Sequence, residues 1–343
     1  MSGLNVAVVG ATGAVGEEFM RLLAERPFPL AGLKLYASAR SAGKTLAFKG
    51  ESLPVAELTE KSFAGIDIAF FSAGGARSRQ FAPLAAEAGA TVIDNSSAFR
   101  MHPDVPLIVP EVNGSDALGH KGIIANPNCS TILMVMVVKP LYDLAPIRRI
   151  VASTYQAASG AGAAAVRELE NQTKAIVMGT EVVKECFPHQ IAFNLFSHNT
   201  AIDDTGYNEE ERKMVQETRK ILHVPDLAVT ATCIRVPIPR AHSESLNIEF
   251  AGTRPPLEQC RAALAAFPGV RVVDDRAGNY FPMPLDASGK DEVLVGRLRE
   301  DFSHPNAIDL FLSGDQILKG AALNGFQIAE YLIAHNAVKG ARA

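Results

Sequence analysis

Short apolar runs alternate with segments of helical periodicity through the first third of the chain, and that rhythm leaves few folds open. Leu4–Val9 has strand character and ends in Gly10-Ala-Thr-Gly13-Ala-Val-Gly16. Glu17–Glu25 then reads as a helix with Phe19, Leu22 and Leu23 on one face. Leu33–Ala37, Asp67–Phe71 and Thr91–Asp94 are further strands, with a helix over Arg77–Ala88 between the last two. Strands separated by helices make βαβ units, so the expected class is α/β with a doubly wound parallel sheet. Right-handed crossovers set the loops after these strands along one edge, where ligands bind.

The pattern changes near Ile147. Strand-like segments become longer, at Ile147–Tyr155, Ala228–Pro237, Ser245–Phe250 and Glu292–Arg299. Leu246, Ile248 and Phe250 alternate with Asn247 and Glu249, as in a half-buried antiparallel strand. Helices near Ala161–Met178, Glu209–Leu222 and Leu257–Phe267 would cover one face. Asp315–Ala337 is helical again and is expected to return to the first domain. The 343 residues suit two domains. The expected division is residues 1–127 with 315–343 as one domain, and 128–314 as the other.

Charge and cysteine usage remove several function classes. Thirty-three Lys and Arg against 37 Asp and Glu give a net charge of −4, with no basic tract for nucleic acid or a membrane surface. The longest strongly apolar run, Ile132–Val138, falls far short of the ~18 residues that span a bilayer. A strand begins almost at once after Met1, so no signal peptide is expected and the expectation is a soluble, cytoplasmic protein. Four cysteines, Cys129, Cys186, Cys233 and Cys260, are too sparse for a disulfide scaffold or a zinc site, and no metal is expected.

The glycine-rich turn Gly10-x-x-Gly13-x-x-Gly16 lies where a dinucleotide fingerprint belongs, between the first strand and the first helix. Such a turn lets backbone approach a pyrophosphate at a positively polarised helix end. The spacing departs from the commoner Gly-x-Gly-x-x-Gly, and a tight turn without ligand is the competing explanation. An NAD site usually places Asp or Glu after the second strand, yet Arg26 to Gly50 holds no acidic residue. The loop there reads Ser38-Ala-Arg40-Ser41-Ala-Gly-Lys44, whose guanidinium and hydroxyls suit a 2′-phosphate, so NADP is expected over NAD. Ser72-Ala-Gly-Gly75 ends another strand and could add backbone contacts to the same cofactor.

Cys129 differs from the other cysteines in preceding Ile132–Val138, which continues best as a helix. A thiol at a helix N-terminus is stabilised as the thiolate nucleophile, although an inert buried thiol fits the spacing too. Among eight histidines, His242 stands out in Arg235-Val-Pro-Ile-Pro-Arg-Ala-His242. Seven residues separate it from Arg235, so an unbroken strand would put the two on opposite faces, but Pro237 and Pro239 argue for a bend that turns both into one cleft. Glu210 and Lys213 share a face of an amphipathic helix that turns Met214, Val215, Ile221 and Leu222 inward. Surface ion pairing is the first explanation for them. Arg100 is ambiguous on chemistry alone, while Gln156 follows a strand and precedes glycines, as a site edge would.

Together these motifs resemble the bacterial aspartate-β-semialdehyde dehydrogenases. The likeness rests on the glycine turn ending at Gly16, Asn-Pro-Asn-Cys-Ser-Thr131, Tyr-Gln-Ala-Ala-Ser-Gly160, Pro-His-Gln-Ile-Ala-Phe-Asn194 and Arg-Val-Pro-x4-His-Ser-Glu244. It reaches Gly314-Asp-Gln-Ile-Leu-Lys-Gly-Ala-Ala-Leu-Asn324 and so covers nearly the whole chain. Related N-acetyl-glutamyl-phosphate reductases typically carry Gly-Cys-Tyr where this chain has Asn128-Cys129-Ser130, and paralogues lacking the nucleophile form a third, silent alternative.

The resemblance implies a Rossmann-type NADP-binding domain and an α+β catalytic and dimerisation domain of the glyceraldehyde-3-phosphate-dehydrogenase type. It implies Cys129 as nucleophile, His242 as acid/base and Gln156 as the residue orienting substrate. Arg235 would hold the substrate α-carboxylate and Glu210 its ammonium, with Arg100 and Lys213 on phosphate. Gly10, Thr12, Gly13, Ala14, Val15, Gly16, Arg40, Ser41, Ser72, Ser159, Gly160, Gln316 and Asn324 would contact the cofactor. The implied reaction reduces aspartyl-4-phosphate to the semialdehyde and phosphate through a cysteine thioester. In the family this step serves lysine, diaminopimelate, threonine, methionine and isoleucine biosynthesis, in a homodimer or higher homo-oligomer.

Overall fold

Leu4–Val9 forms strand β1 in the computed structural model, which describes residues 3–339. Val6 to Val9 lack any exposure, as a strand covered on both faces requires. The elements that follow are α1 (Ala14–Glu25), β2 (Leu30–Ala37), β3 (Thr45–Phe48), β4 (Glu51–Glu57) and β5 (Ile68–Phe71). After them come α2 (Gly75–Glu87), β6 (Thr91–Asp94), α3 (Pro110–Asn113) and β7 (Ile123–Ala125). They build a seven-stranded sheet in the order β3-β4-β2-β1-β5-β6-β7. Every pairing in it is parallel except β3 with β4. Phe19 on α1 stacks on Phe70 of β5 with ring centroids 4.4 Å apart, so the helix face read from the sequence does pack on the sheet.

Two details differ from the sequence reading. Helix α1 starts at Ala14 rather than Glu17, with Gly13 as its cap, so the glycine turn already contains the helix N-terminus. Between β3 and β4, Lys49 and Gly50 both have positive φ, the geometry of a two-residue hairpin turn, in a stretch that carried no strand expectation.

The second seven-stranded sheet contains β8 (Ile147–Gln156), β9 (Phe196–Ser197), β10 (Ala228–Arg235), β11 (His242–Phe250), β12 (Val270–Val272), β13 (Val293–Glu300) and β14 (Ala307–Gly314). Its order is β12-β13-β14-β11-β8-β10-β9. β8 runs parallel to β10 and antiparallel to β11, which makes this sheet mixed. Its helices are α4 (Cys129–Leu144), α5 (Ala163–Met178), α6 (Glu209–Ile221), α7 (Leu257–Ala266) and the short α8 (Pro284–Ala287). Ser130 to Val138 are buried on every side of α4, as expected of a helix apolar all round.

After β14 a π-helical turn, Leu318–Ala322, leads into α9 (Leu323–Ala334). The expected single helix over Asp315–Ala337 is therefore shorter. Asp315 Oδ1 accepts the N–H groups of Ile317 and Leu318, which ends the strand in a side-chain-capped turn. Residues 340–343 of the expected C-terminal segment lie outside the described residues.

The chain divides into two compact units, one running to Asn128 and resuming at Ala321, the other being Cys129–Gly320. The first junction falls one residue after the expected break, and the second falls at Ala321 rather than 315, because Asp315–Gly320 stays with the second unit.

Candidate active site

The glycine turn of the first unit admits no side chains at its two closest approaches. Gly10 has φ of +90°, and a Cβ there would collide with Ser72 O; a Cβ on Gly16 would collide with Gly10 O. No side chain caps α1, and Thr12, Ala14 and Val15 beside its start are half-buried. A cleft of about 550 Å³ lies at the ends of β2 and β4, lined by Ser38, Arg40, Glu57, Leu58, Arg77 and Phe81 among others. Two guanidinium-bearing residues, Arg40 after β2 and Arg77 on α2, fit a phosphorylated ribose. Arg77 and Glu57 escaped the sequence reading, since neither lies in the loop after the second strand. Ser41 is buried with its N–H on Ser38 O (2.8 Å), and Ser72 is half-buried.

Two other predicted residues have structural partners in this unit. Arg100, 8% exposed, donates from Nε to Asn126 O (2.9 Å) and from Nη2 to Asn95 O (3.0 Å). Asn324 is wholly buried, its amide nitrogen donating to Ile108 O (2.9 Å) and Asn126 Oδ1 (2.6 Å). These bonds brace the backbone of Ile108 and the side chain of Asn126.

In the second unit, Cys129 is the first residue of α4 and is half-buried, so its thiol stands at the positive end of the helix dipole. Gln156 ends β8, and its Nε2 donates to Ser130 Oγ (3.0 Å) and Glu210 Oε1 (3.4 Å). One side chain thus connects the residue after the thiol to the first turn of α6. Gly320 comes close on the other side: a Cβ there would be 3.0 Å from Cys129 Cβ.

Glu210 corrects the surface ion-pair expectation. It is 5% exposed, and Lys213 Nζ stands 3.6 Å from its Oε2 and 2.8 Å from Glu209 Oε1. A capping box fixes this end of α6, with Asn208 accepting from the Glu211 N–H and Glu211 from the Asn208 N–H. The helix therefore presents carboxylates, not only Met214 and Ile221, to the interior.

Arg235 ends β10 directly opposite Gln156 in the strand register and is 3% exposed. Its Nε donates to Asn199 Oδ1 (3.4 Å), Nη1 to Ala157 O (3.0 Å) and Nη2 to His198 Nε2 (2.8 Å). One N–H on each terminal nitrogen remains, the pair a carboxylate takes in a bidentate contact. Burial is the main influence lowering its basicity, while the charges of Glu210 and Cys129 act to raise it.

The expected bend between Arg235 and His242 is present, with Ala241 at φ of +71°, but His242 opens β11 instead of lying in the connection. Its Nδ1 accepts the Ala157 N–H (3.1 Å), so the neutral ring carries its proton on Nε2. That Nε2 is buried without a protein partner. Burial, with Arg235 adding to it, lowers the His242 pKa to about 3. Burial thus keeps the imidazole uncharged at neutral pH, so the acid/base role expected of His242 would fall to a neutral ring. Gly160 admits both groups: a Cβ there would lie 2.8 Å from Arg235 Nη1 and 3.1 Å from His242 Cε1. Gln316 ties the neighbouring loops, its Nε2 donating to Ser159 Oγ and its Oε1 accepting the Ala241 N–H (2.8 Å).

Sequence reasoning missed His198, Asn199 and Glu244. No spacing rule pointed to the first two. Glu244 was within reach, since it follows His242 by two residues on one strand face.

The family model described as "Semialdehyde dehydrogenase, NAD binding domain" matches residues 5–120, and "Semialdehyde dehydrogenase, dimerisation domain" matches 138–319. The aspartate-semialdehyde dehydrogenase of Synechocystis is 57% identical over 97% of this chain and 98% of its own length. The Vibrio cholerae aspartate semialdehyde dehydrogenase II crystal structure with ASA superposes with a TM-score of 0.94 at 44% identity, over 97% of this chain and 99% of that one. The Candida albicans enzyme with NADP gives a TM-score of 0.79 at 26% identity, over 98% of this chain and 100% of that one. A thiol-bearing helix end ringed by Gln156, Glu210, Arg235 and His242, on a scaffold shared along nearly its whole length, makes the chain a member of the aspartate-semialdehyde dehydrogenase family.

Proposed function

We propose that the chain catalyses the NADP-dependent, phosphate-linked interconversion of L-aspartyl-4-phosphate and L-aspartate-4-semialdehyde through a thioester on Cys129. The observation that carries this reading is the convergence of Gln156, Arg235 and His242 from the ends of three adjacent strands beside the N-terminus of α4.

The roles follow from the chemistry of each group. The helix end and the Arg235 charge favour the Cys129 thiolate. Its attack on the acyl carbon forms a C–S bond and breaks the C–O bond to phosphate, which leaves with the electron pair and takes a proton from water. Bound NADPH supplies the hydride that reduces the thioester carbon. The resulting oxyanion collapses by expelling the Cys129 thiolate as the aldehyde carbonyl forms. The unpartnered Nε2–H of neutral His242 suits a hydrogen bond to that oxyanion, as electrophilic catalysis without a charged acid. The spare N–H pair of Arg235 takes the α-carboxylate, Glu210 the ammonium, and Lys213 adds positive charge for phosphate. A buried carboxylate at Glu210 suits a free ammonium and not an N-acetylated one, which favours the aspartyl substrate over the glutamyl one. Arg40 and Arg77 at the cleft favour NADP, and the match to a dimerisation domain favours a homodimer or larger assembly.

The test is phosphate-dependent NADP reduction with the semialdehyde, run in parallel with NAD. Activity is expected with NADP and weaker with NAD, and Cys129→Ala should lose at least about a thousandfold in kcat. Equal use of NAD and NADP would remove the Arg40 argument. Comparable loss on changing Cys186 would remove the thiol assignment.

A further inference from the structure

Arg235 lies in a pocket that orients it without neutralising it. Its hydrogen-bonding partners are an amide oxygen, a backbone carbonyl and an imidazole, none of them charged. Arginine has no acceptor, so its Nη2 must donate and His198 Nε2 must offer a lone pair. The proton of the neutral ring then sits on Nδ1, 3.2 Å from Thr200 Oγ1. That same oxygen receives the Glu210 N–H (3.3 Å). A continuous chain therefore runs from Arg235 through His198 and Thr200 to the start of α6. The His198 backbone is fixed as well, its N–H donating to Cys233 O of β10 (2.8 Å).

We propose that His198 is a positioning residue that aims the Arg235 guanidinium at the substrate α-carboxylate without itself forming an ion pair with it. A carboxylate at this position would make the same hydrogen bond but would pair with Arg235 in place of the substrate. A phenyl ring would fill the space without holding the fork. The inference rests on the assignment of Arg235 to the α-carboxylate. Several charged and titratable groups act on His198: Arg235 from β10, Glu209, Glu210 and Lys213 from α6, and His242 from β11. Burial is the largest influence and keeps the ring neutral, with its pKa lowered to about 4.

The test compares His198→Gln, His198→Glu and His198→Phe by KM for the semialdehyde, kcat and melting temperature. Gln is a neutral acceptor, so His198→Gln should stay within about threefold of the parent KM. His198→Glu and His198→Phe should each raise KM by about tenfold or more, the value of a charge-assisted hydrogen bond, with a smaller change in kcat. Gln and Glu differ in charge and hardly in shape, and because burying a carboxylate can itself cost stability, KM is compared well below the melting temperature measured for each variant. Equal KM values for His198→Gln and His198→Glu would overturn the proposal. In the parent protein, ¹⁵N imidazole spectra at pH 7 should show a neutral ring protonated on Nδ1; an Nε2-protonated or charged ring would overturn it as well. Arg235→Lys separates the two levels of argument. If it leaves KM unchanged, the carboxylate assignment fails; if it raises KM while all three His198 variants do not, only the positioning role fails.

Discussion

A carboxyl group with no hydrogen-bond partner in the interior is a standing cost, and Glu244 is one. It has no exposure, neither oxygen has a partner, and it faces Thr154 across the β8–β11 ladder. Burial, and then the charge of Glu210, push its pKa well above the ordinary 4.5, so the folded chain holds it as the neutral acid. Above the unfolded value the denatured state gains stability by ionising and the folded state does not. Each pH unit beyond it costs about 1.4 kcal/mol until the folded pKa is reached. Glu244→Gln should therefore raise the melting temperature at pH 8, with the gain disappearing near pH 4; a gain of equal size at both would exclude the ionisation argument. His198 and His242 act with the opposite sign. Both are neutral when folded, so the stability they confer is complete above 6.5 and is lost as pH falls towards 4 and 3. Cys129, Gln156, Arg235 and His242 were legible in the sequence because each ends or begins an element beside a glycine, proline or helix start. His198 was not, because its importance comes from a contact made 37 positions away.

At the scale of elements, the glycine turn and α1 form one device. Moving the helix start back to Ala14 brings Gly16 against Gly10 O, which leaves no room for a methyl group. Gly16→Ala should shift backbone, cost about 1–3 kcal/mol in denaturant unfolding and weaken NADP binding in titration. Unchanged affinity and stability would show that the turn can relax. Long segments such as α4, α6, β8 and β11 were legible, since burial imposes a repeat on the last three and α4 carries an unbroken apolar run. The β3–β4 hairpin and the two-residue β9 were not. The hairpin is largely exposed and its register depends on a turn with Lys49 at positive φ, while β9 is defined only by its pairing with β10. Glu210 shows the limit of reading a helix by polarity. The Gln156 amide, beside the Asn208–Glu211 capping box, meets a buried carboxylate that a helical projection assigns to solvent.

For the whole molecule, length alone gave two domains and the change of rhythm near Ile147 gave a rough division. The return point at Ala321 could not be read off because Leu312 to Phe326 are buried without a break across it. Cys129 and Gly320, the two ends of the second unit, are neighbours within it. The fragment 129–320 should therefore fold alone with a cooperative melt, since its ends already meet. The first unit is different. α9 supplies Phe326, whose ring lies 5.3 Å from that of Phe28, and Asn324, which braces Ile108 and Asn126. Fragment 1–128 should accordingly lack a cooperative melt until residues 321–339 are added; cooperative unfolding of 1–128 alone would refute this. Chains are made from the N-terminus, and domains generally fold as they emerge. The nucleotide-binding half, most of it made before its neighbour, must therefore wait unfinished through that neighbour's synthesis, and a helix translated after it is the one that closes it.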